Sequence, residues 1–247
     1  MKYSIIISYI PRLEQWQRAA KAWTKIGMDR DDWEIVLAID AKCTPEERSA
    51  AIAAVVWSDL TVVDLPPESA DWHNMASAVN LAVEASNGDN IILTGQEILP
   101  PADVFHWFDM ALAIKPDAYF AGACMSLDES GQLDGWYQHS TLSHNHHFHF
   151  CACCSKETFW KAGGFDDEYS LGYAVEDSEW TDRLAYAGVE VYAYDTVVVA
   201  HQAHSRQYSS MPAALQSELH DRNQAIITRN RIARAAGTWQ PVRRGNG

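Results

Sequence analysis

The chain is predicted to be a single α/β protein built on a mostly parallel sheet, and three observations predict it. Short β-branched runs alternate with segments of helical spacing through the first hundred residues, the pattern of successive β-α-β units. At 247 residues with 47% hydrophobic content, the chain can bury one sizeable core. No internal repeat and no break in composition marks a second independent domain.

Each element follows from local chemistry. The run YSIIISYI at 3–10 reads as a buried strand that stops at Pro11. Residues 12–27 carry helical spacing through Leu13, Trp16, Ala19, Ala20 and Trp23, with Gly27 as terminator. WEIVLAID at 33–40 is a second strand ending in an acid. Thr44 and Pro45 supply an N-cap and a first-turn proline for a helix over 44–56. A third strand at 60–65, an Ala-rich helix at 71–87 and a fourth strand at 90–94 complete the regular half.

The second half is less periodic. A strand is expected at 118–127, and 144–155 alternates with period two. That alternation puts His147, His149, Cys151 and Cys153 on one face and Phe148, Phe150, Ala152 and Cys154 on the other. A short helix capped by Ser155 runs to Gly163-Gly164, an amphipathic helix covers 175–188, and 189–201 is strand-rich. From 205 onward a loop leads into a long polar helix, and the Gly- and Arg-rich tail after Gly237 is expected to be disordered.

Composition excludes several function classes. A net charge of −14 argues against a general nucleic-acid or anionic-membrane binder, which needs a cationic face. No 18-residue apolar stretch occurs, so a soluble protein is expected. The five cysteines include an odd one and there is no secretory leader, which points to a reduced, cytoplasmic setting. The His- and Cys-containing stretch 139–154 lacks paired C-x2-C spacing, so it reads as a strand lining a pocket rather than a zinc site. G-x-G-x-x-G after the first strand and the P-loop motif are both missing.

Ligands of parallel sheets sit at the carboxyl ends of the strands, which directs attention to 8–12, Asp40 to Thr44 and 94–97. Taken alone, Gln96-Glu97 is a solvated turn before Pro100, and Glu176, Asp177 and Glu179 are acids suited to a helix N-terminus. Asp40 alone is an ordinary strand-end turn residue, and Arg12 alone a solvated surface charge. Trp136 and Tyr137 could stack on a sugar ring.

Three segments carry a family resemblance. Gly163-Gly164-Phe165-Asp166-Asp167 resembles a G-G-F-D-E segment. Gly172 through Asp177, followed by Arg183-Leu184, resembles a G-x-x-x-E-D plus R-L helix start. His201-Gln202-Ala203-His204 resembles the histidine that closes a metal site. Together they resemble the family 2 glycosyltransferases of the GT-A (Rossmann-like) fold, with a galactosyltransferase-like G-x-x-x-E-D segment. The match runs over roughly 3–205. It departs at 94–97, where Thr94 and Gln96 stand at the two positions of the usual D-x-D acids and Glu97 is the only acid.

The resemblance implies a hexose transfer, with inversion, from a nucleotide-diphosphate sugar, foremost a UDP-sugar, to a glycan or small hydroxyl acceptor. Asp177 would be the general base, kept ionised by the helix start, and Glu176 would orient the acceptor. Ser8, Tyr9, Arg12, Asp40, Asn80, Thr94 and Gln96 would contact the nucleotide. Glu97 and His201, with the Gln96 amide oxygen as a further candidate, would hold Mn²⁺ or Mg²⁺. Arg12 and Arg206 would add side-chain cations, while His204 reads as structural or exposed. Trp136, Tyr137 and Gly172 would face the acceptor. The organisation implied is a GT-A domain over 1–204, with a nucleotide half at 1–101 and an acceptor half at 102–204, followed by a small helical extension at 205–247. Homo-oligomerisation is left open. The alternative is a degenerate GT-A protein that binds a nucleotide or glycan without turnover.

Overall fold

The computed structural model describes residues 1–56, 58–66, 75–137, 149–205 and 208–240, with only the backbone at Tyr137. Arg206, His147, Phe148 and residues 71–74, where the third helix was expected to begin, lie outside the described residues, as does the chain beyond 240.

The regular half forms as the sequence dictates. Strands β1 (Tyr3–Tyr9), β2 (Trp33–Ile39), β3 (Asp59–Asp64) and β4 (Asn90–Gly95) pair in parallel in the order β3-β2-β1-β4. β1 and β2 are almost wholly buried on both faces, as parallel strands flanked by helices must be. Helix α1 spans Leu13–Ile26, and α2 spans Pro45–Ala53. The start of α2 is a complete capping box, in which Thr44 accepts from the Glu47 N–H and Glu47 reaches back to the Thr44 N–H. Helix α3 covers Met75–Ala85.

Beyond β4 the sheet becomes mixed. A two-residue strand β5 (Ile98–Leu99) precedes α4 (Val104–Ile114), β6 (Tyr119–Leu127), β7 (Leu133–Tyr137), β8 (Cys151–Ser155) and α5 (Lys156–Lys161). Gly163 and Gly164, with φ of 88° and 68°, end α5 in a conformation that L side chains resist. A 3₁₀ turn at Asp167–Leu171 leads to α6 (Glu176–Tyr186), β9 (Val191–His201) and the long α7 (Ala213–Ala235). The full strand order is β3-β2-β1-β4-β8-β6-β9-β5, with β7 off this path and paired to the later part of β6. β4–β8, β6–β8, β6–β7 and β5–β9 are antiparallel, whereas β6–β9 is parallel. Among the described residues no helix is long and apolar enough to cross a membrane.

Two apolar layers flank the sheet. One packs Trp16 and Trp23 of α1 and Phe105 and Phe108 of α4 against it. The other packs Val79 of α3, Phe159 of α5 and Trp180 of α6.

Two expectations change here. Period-two alternation does not extend to His149, because β8 begins only at Cys151. His149 meets Tyr119 and Phe165, on the α6 side with Ala152 and Cys154, while Phe150 packs on the opposite layer with Cys151 and Cys153. Just after Gly237, Trp239 is also buried against the guanidinium groups of Arg183 and Arg234, at 4.9 and 5.2 Å from its ring centre.

Candidate active site

The carboxyl ends of β1, β2 and β4, the start of β8 and the end of β9 converge on one edge of the sheet. The turn after β4 is fixed by its own polar groups. The Thr94 hydroxyl donates to the Phe150 carbonyl at 2.8 Å, and the buried Gln96 amide oxygen accepts from the Ile10 N–H at 3.1 Å. The Gln202 backbone and side-chain N–H groups both donate to the Glu97 carbonyl at 3.1 Å. Thr94 and Gln96 therefore tie the turn to its neighbours.

This leaves the Glu97 carboxylate as the outward group. It lies 3.7 Å from His201 Nε2, 3.9 Å from His204 Nε2 and 3.6 Å from Arg12 Nη1. Gly95 leaves room for it, since a Cβ there would stand 3.0 Å from Glu97 Oε1. One ligand atom from each of Glu97, His201 and His204 falls within 4.8 Å of the others, and no comparable group of three exists among the described residues. One carboxylate and two imidazoles suit Mn²⁺, and Mg²⁺ less well, because Mg²⁺ prefers oxygen ligands. His204, read from sequence as structural or exposed, joins the set because the chain bends after β9. Arg12 Nη1 also lies 3.4 Å from His204 Nε2, and burial lowers its pKa while Glu97 opposes that shift.

The second centre is built on α6. Two residues without the freedom of glycine, Ala174 and Val175, hold φ of 64° and 62° immediately before Glu176. For β-branched Val175 this is an outlier; such positions cost about 1–3 kcal/mol each and need outside support. Helix α7 supplies it. The Asn223 side-chain amide donates to the Ala174 carbonyl at 3.1 Å, and Leu219 O accepts from the Tyr173 N–H at 3.0 Å. Gly172 permits this approach, since a Cβ there would lie 2.0 Å from Asn223 Oδ1. The glycine thus seats α7 and is buried beneath it, which replaces the expected contact with an acceptor. Farther along α6, Glu179 is buried against Arg183 and Arg234, at 3.2 and 2.6 Å.

Asp177 occupies the first turn of α6. Its carboxyl is pushed well above the ordinary carboxylate range, first by burial and then by the adjacent Glu176 charge. Burial and the Glu176 charge thus act against the helix start, which was expected to lower its pKa. About a third of the side chain (34%) remains exposed, so another molecule can reach it.

The other expected ligand residues divide. Tyr9 belongs to the core, edge-on to Trp16, and burial raises its hydroxyl to about 12. Asn80 is spent on the loop after α5: it donates to Phe165 O and Asp167 Oδ1 and accepts from the Phe165 N–H. Asp40, 7% exposed, accepts from the Lys42 N–H at 2.8 Å in a tight turn at the end of β2. Ser8 lies opposite Gly95 at the end of β1. Trp136 is exposed on β7, and register carries it across Met125 of β6 to Ala200, next to His201. Tyr137 pairs with Cys124 in the same ladder.

One dipeptide joins the two centres. His149 Nε2 lies 3.7 Å from Asp177 Oδ1, while the Phe150 ring packs edge-on against His201 with centroids 5.5 Å apart. The carboxylate–imidazole cluster and Asp177 thus flank neighbouring residues at the start of β8.

No family model matches the sequence, and no curated protein matches it. Solved structures do resemble it in fold. TarS 1–349 of S. aureus in complex with UDP-GlcNAc superposes with a TM-score of 0.66 at 10% identity, covering 86% of this chain and 62% of that one. A mannosyltransferase from Pyrobaculum calidifontis in complex with GDP-Man and Mn²⁺ gives 0.62 at 16%, covering 84% and 58%. GalNAc-T7 with UDP, GalNAc and Mn²⁺ gives 0.63 at 11%, covering 83% and 44%. The chain spans about three fifths of the first two and less of the third. The fold is that of the GT-A glycosyltransferases.

Proposed function

We propose that the chain is a nucleotide-sugar-dependent glycosyltransferase of the family 2 type that moves a hexose to a hydroxyl acceptor with inversion. The observation that carries this reading is the pairing at one sheet edge of a carboxylate–diimidazole cluster with a proton-avid, reachable Asp177. Three fold relatives, whose structures hold UDP-GlcNAc, GDP-Man with Mn²⁺, and UDP with GalNAc and Mn²⁺, support the donor class.

In this reading the acceptor hydroxyl sits against Asp177. As its oxygen bonds to the anomeric carbon, the bond from that carbon to the diphosphate oxygen breaks and the proton passes to the Asp177 carboxylate. A raised pKa makes Asp177 a stronger proton acceptor near neutral pH than an ordinary carboxylate. A divalent cation held by Glu97, His201 and His204 would supply Lewis-acid compensation for the charge on the leaving diphosphate. Arg12 would add cationic compensation, Asp40 and Ser8 would border the nucleotide, and Glu176 and Trp136 the acceptor. Residues 1–101 would serve the donor and 102–204 the acceptor. The 205–247 segment would serve as a brace, since α7 holds the Asp177 loop. The five free thiols fit a reduced cytoplasmic setting.

Release of nucleoside diphosphate from UDP- and GDP-sugars, in the presence of Mn²⁺ and a panel of glycan acceptors, tests the assignment. Wild type should turn over one donor, and Asp177→Asn should lose transfer while still binding it. Equal transfer by both proteins overturns the role of Asp177. The second reading, a binder without turnover, rests on Thr94 and Gln96 being spent on internal bonds. Metal-dependent turnover by the wild type would eliminate it.

A further inference from the structure

We infer that His149 is the positioning residue for Asp177, directing an imidazole N–H at its carboxylate while Tyr119 fixes the tautomer from behind. The inference rests on the proposed role of Asp177 as the base.

The three groups form a line from the core to the site. Tyr119 OH lies 2.5 Å from His149 Nδ1, and both residues are buried. On the far side of the ring, Nε2 lies 3.4 Å from the Asp177 carbonyl and 3.7 Å from Asp177 Oδ1. The Asp177 carbonyl accepts, and so does the ionised carboxylate that a base requires, so in that state Nε2 carries the hydrogen and Nδ1 accepts from the tyrosine hydroxyl. This assignment satisfies the observed contacts, whereas the reverse tautomer sets Nε2 lone pair against oxygen. The 3.7 Å spacing is typical of a ligand-free site whose hydrogen bonds tighten on binding.

The ring is also held in place. It stands edge-on to Tyr119 at 80° and to Phe165 at 87°, and Phe165 stacks on Trp180 of α6. A rotating imidazole would break both aromatic contacts, so its N–H stays aimed at α6. Among the described residues, the titratable groups around this line are Tyr119 on β6, Cys153 and Cys154 on β8, and Glu176 with Asp177 on α6. Glu176 opposes ionisation of Asp177, and the N–H of His149 favours it, so the two set the basicity of the carboxylate from opposite sides. The imidazole neither takes nor gives a proton in the reaction; it orients.

The test compares His149→Leu, which removes the donor, with His149→Gln, which can restore an N–H, and with Tyr119→Phe, using Asp177→Asn as control. His149→Leu should lower kcat about 10²-fold with the donor KM unchanged, and the acid limb of kcat/KM should move to higher pH because the carboxylate loses its donor. His149→Gln should recover most of kcat, and Tyr119→Phe should fall between. In the ligand-free protein, ¹⁵N spectra should show His149 protonated at Nε2, with a resonance that moves in Asp177→Asn.

A folded His149→Leu protein with wild-type kcat and acid limb overturns the inference. So does equal impairment of the Leu and Gln variants with an unmoved acid limb, or a spectrum showing protonation at Nδ1. If Asp177→Asn retains transfer, the proposed base itself fails. If that control is inactive while His149→Leu is unaffected, only the present inference fails.

Discussion

Glu97 and Asp177 are the two carboxylates that define the sheet edge, and their surroundings are opposite. Glu97 faces Arg12, His201 and His204, all within 3.9 Å, and each of the three carries or can take positive character. Asp177 faces burial, the like charge of Glu176 and the imidazole of His149 at 3.7 Å. The first environment sets a carboxylate beside two imidazoles that could share a cation with it. The second makes a carboxylate that readily takes a proton. The proposed transfer between a diphosphate and a hydroxyl needs one of each, and this difference is what the proposed roles rest on.

The largest expected effect breaks the Asp177 side of this contrast. Asp177→Asn should cut transfer by about 10²–10⁴-fold, the usual worth of a general base, measured as steady-state product formation with saturating donor. The same substitution should raise stability at neutral pH. A folded-state pKa above the unfolded value means that the stability associated with the group is present below the ordinary range, near pH 4, and is lost as pH rises through the raised value. Thermal melts of both proteins should therefore separate at pH 7.5 in favour of Asp177→Asn and converge toward pH 4.

On the other side, Glu97→Ala should abolish the Mn²⁺-induced rise in Tm, since it removes the only carboxylate of the cluster. A smaller effect comes from the brace behind Asp177. Asn223→Ala removes the amide that bonds Ala174 O and should destabilise the protein by about 1–3 kcal/mol in urea unfolding. It should also lower kcat by relaxing the strained 174–175 segment. The smallest concerns Arg12→Met, which removes the cation now resting on Glu97 and should tighten Mn²⁺ severalfold in a calorimetric titration.

Much of the fold was legible because its signals are local. β1 and β2 are continuous apolar runs, Thr44-Pro45 starts α2, and Gly163-Gly164 ends α5; each follows from a few adjacent residues. Of the proposed site, motif order in the sequence pointed to Glu97, His201 and Asp177. His204 was missed because the bend after β9 has no period to reveal which side chains return to the cluster. His149 was assigned to the wrong face because alternation holds only within a strand, and β8 starts two residues later. Asn223 and Asn230 left no trace, since buried polar residues on α7 look in sequence like any solvated helix face. Tyr9, at the end of β1, is turned into the core, and Asn80, midway along α3, bonds the loop after α5.

The most direct measurement is a thermal-shift titration of wild type and Glu97→Ala with UDP and GDP, each with and without Mn²⁺. The account predicts that one nucleotide raises the wild-type Tm only with Mn²⁺, by the equivalent of about 2.7 kcal/mol at a hundredfold excess over Kd, and that Glu97→Ala loses this dependence. A wild-type shift that is identical with and without Mn²⁺, or one that survives intact in Glu97→Ala, would contradict the assignment of the Glu97 cluster.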